Sequence, residues 1–156
     1  MPAIGAVKAD VASIPMTKIK NRLFFFCLLL LALSVACSRE DPQVQIPFVT
    51  VDIEINLQDL RYQSLHTESW LYLNGGVRGI VLVKENNQYR AFERNCTYQP
   101  RDTCATVDMH SSGFYLIDDC CNSQFDKAGN VTNGPARQPL LQYTTYQDGN
   151  FLIIRN

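Results

Sequence analysis

Between Val49 and Leu57 every odd position (Val49, Val51, Ile53, Ile55, Leu57) is apolar and every even one (Thr50, Asp52, Glu54, Asn56) is polar. A period of two predicts a strand with one face on a core. Gln58 to Ser69 is mixed, with room for a turn of helix or an irregular edge, and Trp70-Leu71-Tyr72-Leu73 then stops at Asn74-Gly75-Gly76. Gly79-Ile80-Val81-Leu82-Val83 and Tyr89-Arg90-Ala91-Phe92-Glu93 flank Lys84 to Gln88, whose Asn86-Asn87 pair tolerates the positive φ of a tight hairpin. A second hairpin is expected where Gln124-Phe125-Asp126 and Asn130-Val131-Thr132 flank Lys127-Ala128-Gly129. A third sets Leu141 to Tyr146 against Phe151 to Ile154 across Asp148-Gly149-Asn150. Beyond Leu57 no stretch keeps a helical period over three turns, and short strands with turn signals recur every 8 to 15 residues. The class is all-β, a small antiparallel sandwich or barrel.

The front of the chain follows different rules. Leu23 to Ala36 is an uncharged apolar run of 14 residues, preceded by Lys18, Lys20 and Arg22 and followed by Arg39, Glu40 and Asp41. A helix needs about 20 apolar residues to cross a bilayer, so this is signal-peptide architecture rather than a lasting span. Its end, Leu33-Ser34-Val35-Ala36-Cys37, resembles the lipobox of bacterial lipoproteins in the relaxed form of Bacteroidetes-type members, with Ser34 where leucine is usual. The resemblance implies cleavage before Cys37 and lipidation of that cysteine, with Met16 as a natural start. Residues 1–36 are then the signal peptide, 37–47 a lipid-anchored tether and 48–156 the folded domain. Two or more acyl chains hold a protein stably on a membrane. Ser38-Arg39-Glu40-Asp41 resembles a leader permitting outer-membrane delivery, on the periplasmic or surface face.

Charge narrows the partners. From Cys37 onward 10 Lys and Arg face 14 Asp and Glu, a net charge of −4. An acidic surface offers no counterion-release drive toward nucleic acid, which leaves the membrane, through the lipid, and a protein of the envelope as expected partners.

Residues 96 to 140 carry the most specific motif. Cys96-Thr97-Tyr98 is followed by Asp118-Asp119-Cys120-Cys121-Asn122-Ser123-Gln124-Phe125-Asp126, then by Gly134-Pro135-Ala136 and Pro139-Leu140. This order resembles the Rieske iron–sulfur fold, in which C-x-H opens one loop, C-x-x-H-G-S-x-F-D a second, and G-P-A-x-x-P-L follows. In that family two cysteines hold one iron of a [2Fe–2S] cluster and two histidines the other. With Ser123-Gln124-Phe125-Asp126 as the anchor, Cys96 keeps the first cysteine. Tyr98 stands at the first histidine, Asp118 at the second cysteine, Cys121 at the second histidine, and Asn122 at the glycine. The chain's two histidines, His66 and His110, fit neither loop, and His110 reads as a hairpin-turn residue. The resemblance therefore implies the fold with a degenerate cluster site, and no cofactor or metal is expected.

The remaining cysteines are an even set in an exported domain, where disulfides persist. Respiratory Rieske proteins have a disulfide joining the two cluster loops, and the resemblance implies Cys104 to Cys120 as its counterpart, with Cys96 to Cys121 as a second bridge across the vacated site. The swapped pairing, Cys96 to Cys120 and Cys104 to Cys121, stays open, because sequence does not fix connectivity. Tyr98 is expected to point into the vacated site, its hydroxyl on Asp118 or a loop amide.

Two functions from different classes follow. The first is a lipid-displayed binding or structural module, without catalysis. The alternative is an electron-transfer protein whose [2Fe–2S] cluster has non-standard ligands, Cys96, Cys104, Cys120 and Cys121. Zinc would want paired C-x(2–4)-C knuckles and a thiol oxidoreductase a C-x-x-C, and the chain has neither.

Overall fold

The computed structural model describes residues 45–156. The signal peptide expected at 1–36, Cys37 and the tether as far as residue 44 lie outside the described residues. Ten strands and one short helix follow in order: β1 (Asp52–Asn56), a 3-10 turn (Leu60–Tyr62), α1 (Ser64–Thr67), β2 (Trp70–Leu73), β3 (Ile80–Glu85), β4 (Gln88–Glu93), β5 (Val107–Met109), β6 (Leu116–Asp118), β7 (Ser123–Phe125), β8 (Val131–Asn133), β9 (Gln142–Asp148) and β10 (Phe151–Arg155). All strand pairs are antiparallel. A six-stranded sheet runs β1-β10-β9-β4-β3-β2, and a four-stranded one β5-β6-β7-β8.

The three expected hairpins form, as β3–β4, β7–β8 and β9–β10. Asn86 and Asn87, with φ of 49° and 61°, make the first a tight turn of the kind asparagine tolerates. β9 is the joint of the large sheet: Tyr143 and Gln142 pair with β4, and Thr144 to Asp148 with β10. The mixed segment after β1 resolves into the 3-10 turn and α1, and buries Leu65.

Two cores lie on opposite faces of β3. Ile80 and Leu82 join Val51, Ile55, Leu71, Ala91, Tyr143, Leu152 and Ile154 in the first. Val81 and Val83, with Phe92, join Val107, Met109, Leu116 and Phe125 of the small sheet in the second. A strand buried on both faces has no polar side to show, which is why Ile80-Val81-Leu82-Val83 reads as an unbroken apolar run.

A polar clamp fastens the small sheet to the large one. The Arg94 guanidinium lies 4.0 Å from the centroid of the Tyr72 ring, donates to Val107 O at 3.0 Å and pairs with Asp108. Tyr72 Oη accepts the Met109 amide at 2.8 Å.

Candidate functional site

The Rieske-like motifs converge on one end of the small sheet, where two loops meet. Loop one, between β4 and β5, carries Cys96, Tyr98 and Cys104. Loop two, between β6 and β7, carries Cys120 and Cys121 and begins at Asp118. A third segment, Gly134-Pro135-Ala136, follows β8.

Loop one is anchored where it leaves β4. Glu93 is fully buried, and its carboxylate accepts from the amides of Val77 at 2.7 Å, Arg78 at 2.9 Å and Asn95 at 2.9 Å, and from Tyr143 Oη at 2.7 Å. Four donors offset the hydration that a buried carboxylate gives up. Gly76 passes so close that a β-carbon there would lie 2.2 Å from Glu93 Oε2. Arg78 then reaches along the loop, donating to Asn95 Oδ1 at 3.1 Å, to Thr103 O at 2.6 Å and to Asp102 O. The result fixes Asn95 immediately before the fully buried Cys96.

Loop two is a tight turn organised by Asp118. Its Oδ1 accepts the Cys120 amide at 2.8 Å, its carbonyl accepts the Asn122 amide at 2.7 Å, and Asn122 takes a left-handed φ of 60°. This is the local bonding that makes Asp a turn former. Gly134, at φ 89°, lies against the turn so closely that a β-carbon would sit 2.5 Å from Ser123 Cα. Ala136 N–H donates to Ser123 Oγ at 3.1 Å, so the third segment covers the base of loop two.

Cys104 and Cys120 form a disulfide that ties the two loops together. The four-thiolate cluster set Cys96, Cys104, Cys120 and Cys121 is thereby corrected: two of its sulfurs are spent in this bond. The expected second bridge is corrected as well. Cys96 and Cys121 are free thiols, with sulfurs 4.0 Å apart, about twice a disulfide bond length. Cys121 Sγ instead donates to Asp118 Oδ2 at 3.3 Å and lies 3.0 Å from Ser123 Oγ.

Cys96, Asp118 and Cys121 bring their ligand atoms within 4.8 Å of one another. Cys96 and Asp118 are buried and Cys121 is half-buried. Burial foremost, and then Asp118 beside it, push the Cys96 thiol far above the ordinary thiol range, while the Tyr98 amide pulls the other way. Tyr98 packs its ring, partly buried, against the second core. Its hydroxyl is not what satisfies Asp118, whose two oxygens are taken by the Cys120 amide and the Cys121 thiol.

Neither histidine reaches this place. His66 Nε2 lies 3.3 Å from Leu57 O, beside the first core. His110 turns the β5–β6 hairpin, with Nδ1 2.9 Å from Ser112 Oγ and its ring stacked 4.3 Å from that of Tyr115. A Rieske cluster needs two cysteines and two histidines; the side chains gathered here are two thiols and a carboxylate, and they do not fit it. Sequence reasoning missed Glu93, Arg78 and Gly76. Most of the partners of Glu93 and Arg78 are backbone amides and carbonyls, which leave no trace in residue spacing, although Gly75-Gly76 marked the turn.

No family model matches the chain, and no curated protein matches it. Among solved structures it is similar to the cyanobacterial plasma membrane Rieske protein PetC3 from Synechocystis PCC 6803, at 22% identity over 65% of this chain and 99% of that chain, with a TM-score of 0.51. The fold is that of Rieske-type domains, as the motif order implied.

Proposed function

We propose that the chain is an exported lipoprotein, held on the cell envelope through lipid on Cys37, whose Rieske-type domain carries no Rieske cluster and serves as a disulfide-stabilised binding or structural module. One observation carries this reading. Tyr98, Asp118 and Cys121 stand where the motif frame calls for His, Cys and His, and both histidines of the chain lie elsewhere, in contacts of their own. Without two imidazoles the outer iron has no ligands. The Cys104–Cys120 disulfide joins the two loops covalently, so that they are held together without a cluster.

The anchor is supported by the charged-apolar-small order of the first 37 residues. No helix among the described residues is long and apolar enough to cross a membrane. The similar cyanobacterial protein is described as a plasma membrane protein, and attachment to an envelope membrane is proposed here too, by lipid on the outer membrane. The test is anaerobic reconstitution of the mature domain with iron and sulfide. Protein that leaves a desalting column colourless supports the reading. Visible absorption with an electron paramagnetic resonance signal on reduction replaces it with an electron carrier.

A further inference from the structure

We propose that Cys96, Asp118 and Cys121 form a binding site for one thiophilic divalent cation of the zinc class. The proposal rests on the reading that no iron–sulfur cluster fills this place. The spacing of the three donors is its first support. Zinc bound tetrahedrally at about 2.3 Å from sulfur and about 2.0–2.2 Å from a carboxylate oxygen sets ligand–ligand edges of about 3.8 Å for S···S and about 3.5 Å for S···O. The sulfurs here are 4.0 Å apart, and Cys121 Sγ is 3.3 Å from Asp118 Oδ2. Both of these edges match to within a few tenths of an ångström, and the third, from Cys96 Sγ to the Asp118 carboxylate, is within 4.8 Å.

Rigidity is the second support. Asp118 and Cys121 belong to one turn, and Cys96 comes from the opposite loop, which the Cys104–Cys120 disulfide ties to that turn. Asp118 has divided its two oxygens: Oδ1 is fixed by the Cys120 amide, and Oδ2 is aimed at the Cys121 sulfur. That is the outer hydrogen bonding that orients a ligating carboxylate. Ser123 Oγ, 3.0 Å from Cys121 Sγ, supports the second thiolate in the same way.

The chemistry balances simply. Both thiols lose their protons to solvent, the two thiolates and the carboxylate carry three negative charges, and the cation neutralises two of them, so no oxidant or reductant takes part. Thiolate sulfur favours a zinc-class ion over magnesium or calcium. Cys121 is the half-buried member and marks the side from which an ion enters. Three protein ligands with a fourth corner open to water is the arrangement of zinc sites that take an exchangeable ligand.

The test uses the mature domain with its disulfide intact, handled anaerobically and stripped with a chelator. Zinc should bind at one ion per chain with release of two protons and protect Cys96 and Cys121 from alkylation, and cobalt should give a thiolate charge-transfer band with tetrahedral visible bands. Cys96→Ser and Cys121→Ser, each checked for fold by circular dichroism, should abolish tight binding. Asp118→Asn should weaken it, and His66→Ala should leave it unchanged. Zinc uptake that survives both cysteine variants, a wild-type protein that takes up no zinc, or native protein in which Cys96 and Cys121 are already joined overturns the proposal. Alkylation protection and the cobalt spectrum are read on wild-type protein, so they decide the matter even where a variant fails to fold. Two irons with two sulfides per chain would sink the cluster-free reading itself, whereas colourless protein that ignores zinc sinks only the cation site.

Discussion

Asp118 Oδ2 lies 3.3 Å from Cys121 Sγ across a single turn, so the positions that a Rieske motif gives to a cysteine and a histidine are joined by a hydrogen bond of their own. The turn closes on hydrogen bonds of its own residues. Asp118 holds it through Oδ1, and Asn122 supplies the left-handed residue that closes it.

Loss of the Cys104–Cys120 disulfide should cost about 2–5 kcal/mol, the usual range for a native bridge in a small exported domain. Denaturant midpoints of wild type and of the Cys104→Ser, Cys120→Ser double variant measure this. Equal midpoints would show that the link between the loops adds no stability.

Tyr143 ties alkaline stability to the buried Glu93. Burial first, and the hydrogen bond to Glu93 second, raise its phenol above the ordinary value, which is near 10. A group that holds its proton more tightly when folded stabilises the fold fully below its unfolded pKa and loses that contribution as pH climbs toward its folded pKa. Wild type should therefore lose stability as pH rises above about 10, and Tyr143→Phe should lose less over the same range. At neutral pH the variant should be about 1–3 kcal/mol less stable, because Glu93 keeps only its three amide donors. Parallel pH profiles of the two proteins would contradict the assignment.

Gly134→Ala should loosen the cover over loop two. Its φ of 89° and the 2.5 Å approach to Ser123 Cα leave no room for a β-carbon, and strain of this kind costs on the order of 1–3 kcal/mol. The Ala136–Ser123 hydrogen bond should weaken with it, and Cys121 should react faster with a thiol reagent. An unchanged alkylation rate would place the third segment away from the site.

How much of this was legible in the sequence depended on the length of each signal. The alternation from Val51 to Leu57 showed β1, and Asn86-Asn87 showed the β3–β4 turn. β5 and β6 span only three residues each, too few to display a period, and only the turn between them, at His110 to Gly113, left a mark. The Ser123-Gln124-Phe125-Asp126 frame located the site because its residues do fixed jobs: Ser123 takes the Ala136 amide, and Asp126 Oδ1 takes the amides of Ala128 and Asn130. Spacing did not reveal that Cys121 would turn to Asp118 rather than bond to Cys96. That choice is made by a carboxylate oxygen left free once its partner oxygen had capped the turn.

Installing the Rieske ligand set should confer a cluster. Tyr98→His, Asp118→Cys, Cys121→His and Asn122→Gly together rebuild the Cys2His2 set on a fold that already has the Rieske form. The combined variant, reconstituted anaerobically, should become coloured and give the paramagnetic signal of a reduced [2Fe–2S] centre. A folded but colourless variant would mean that more than ligand identity separates this site from a cluster site.

The most direct measurement is iron and acid-labile sulfide in native protein, purified anaerobically from cells grown with ample iron. The account predicts neither above trace. Two irons and two sulfides per chain would contradict it.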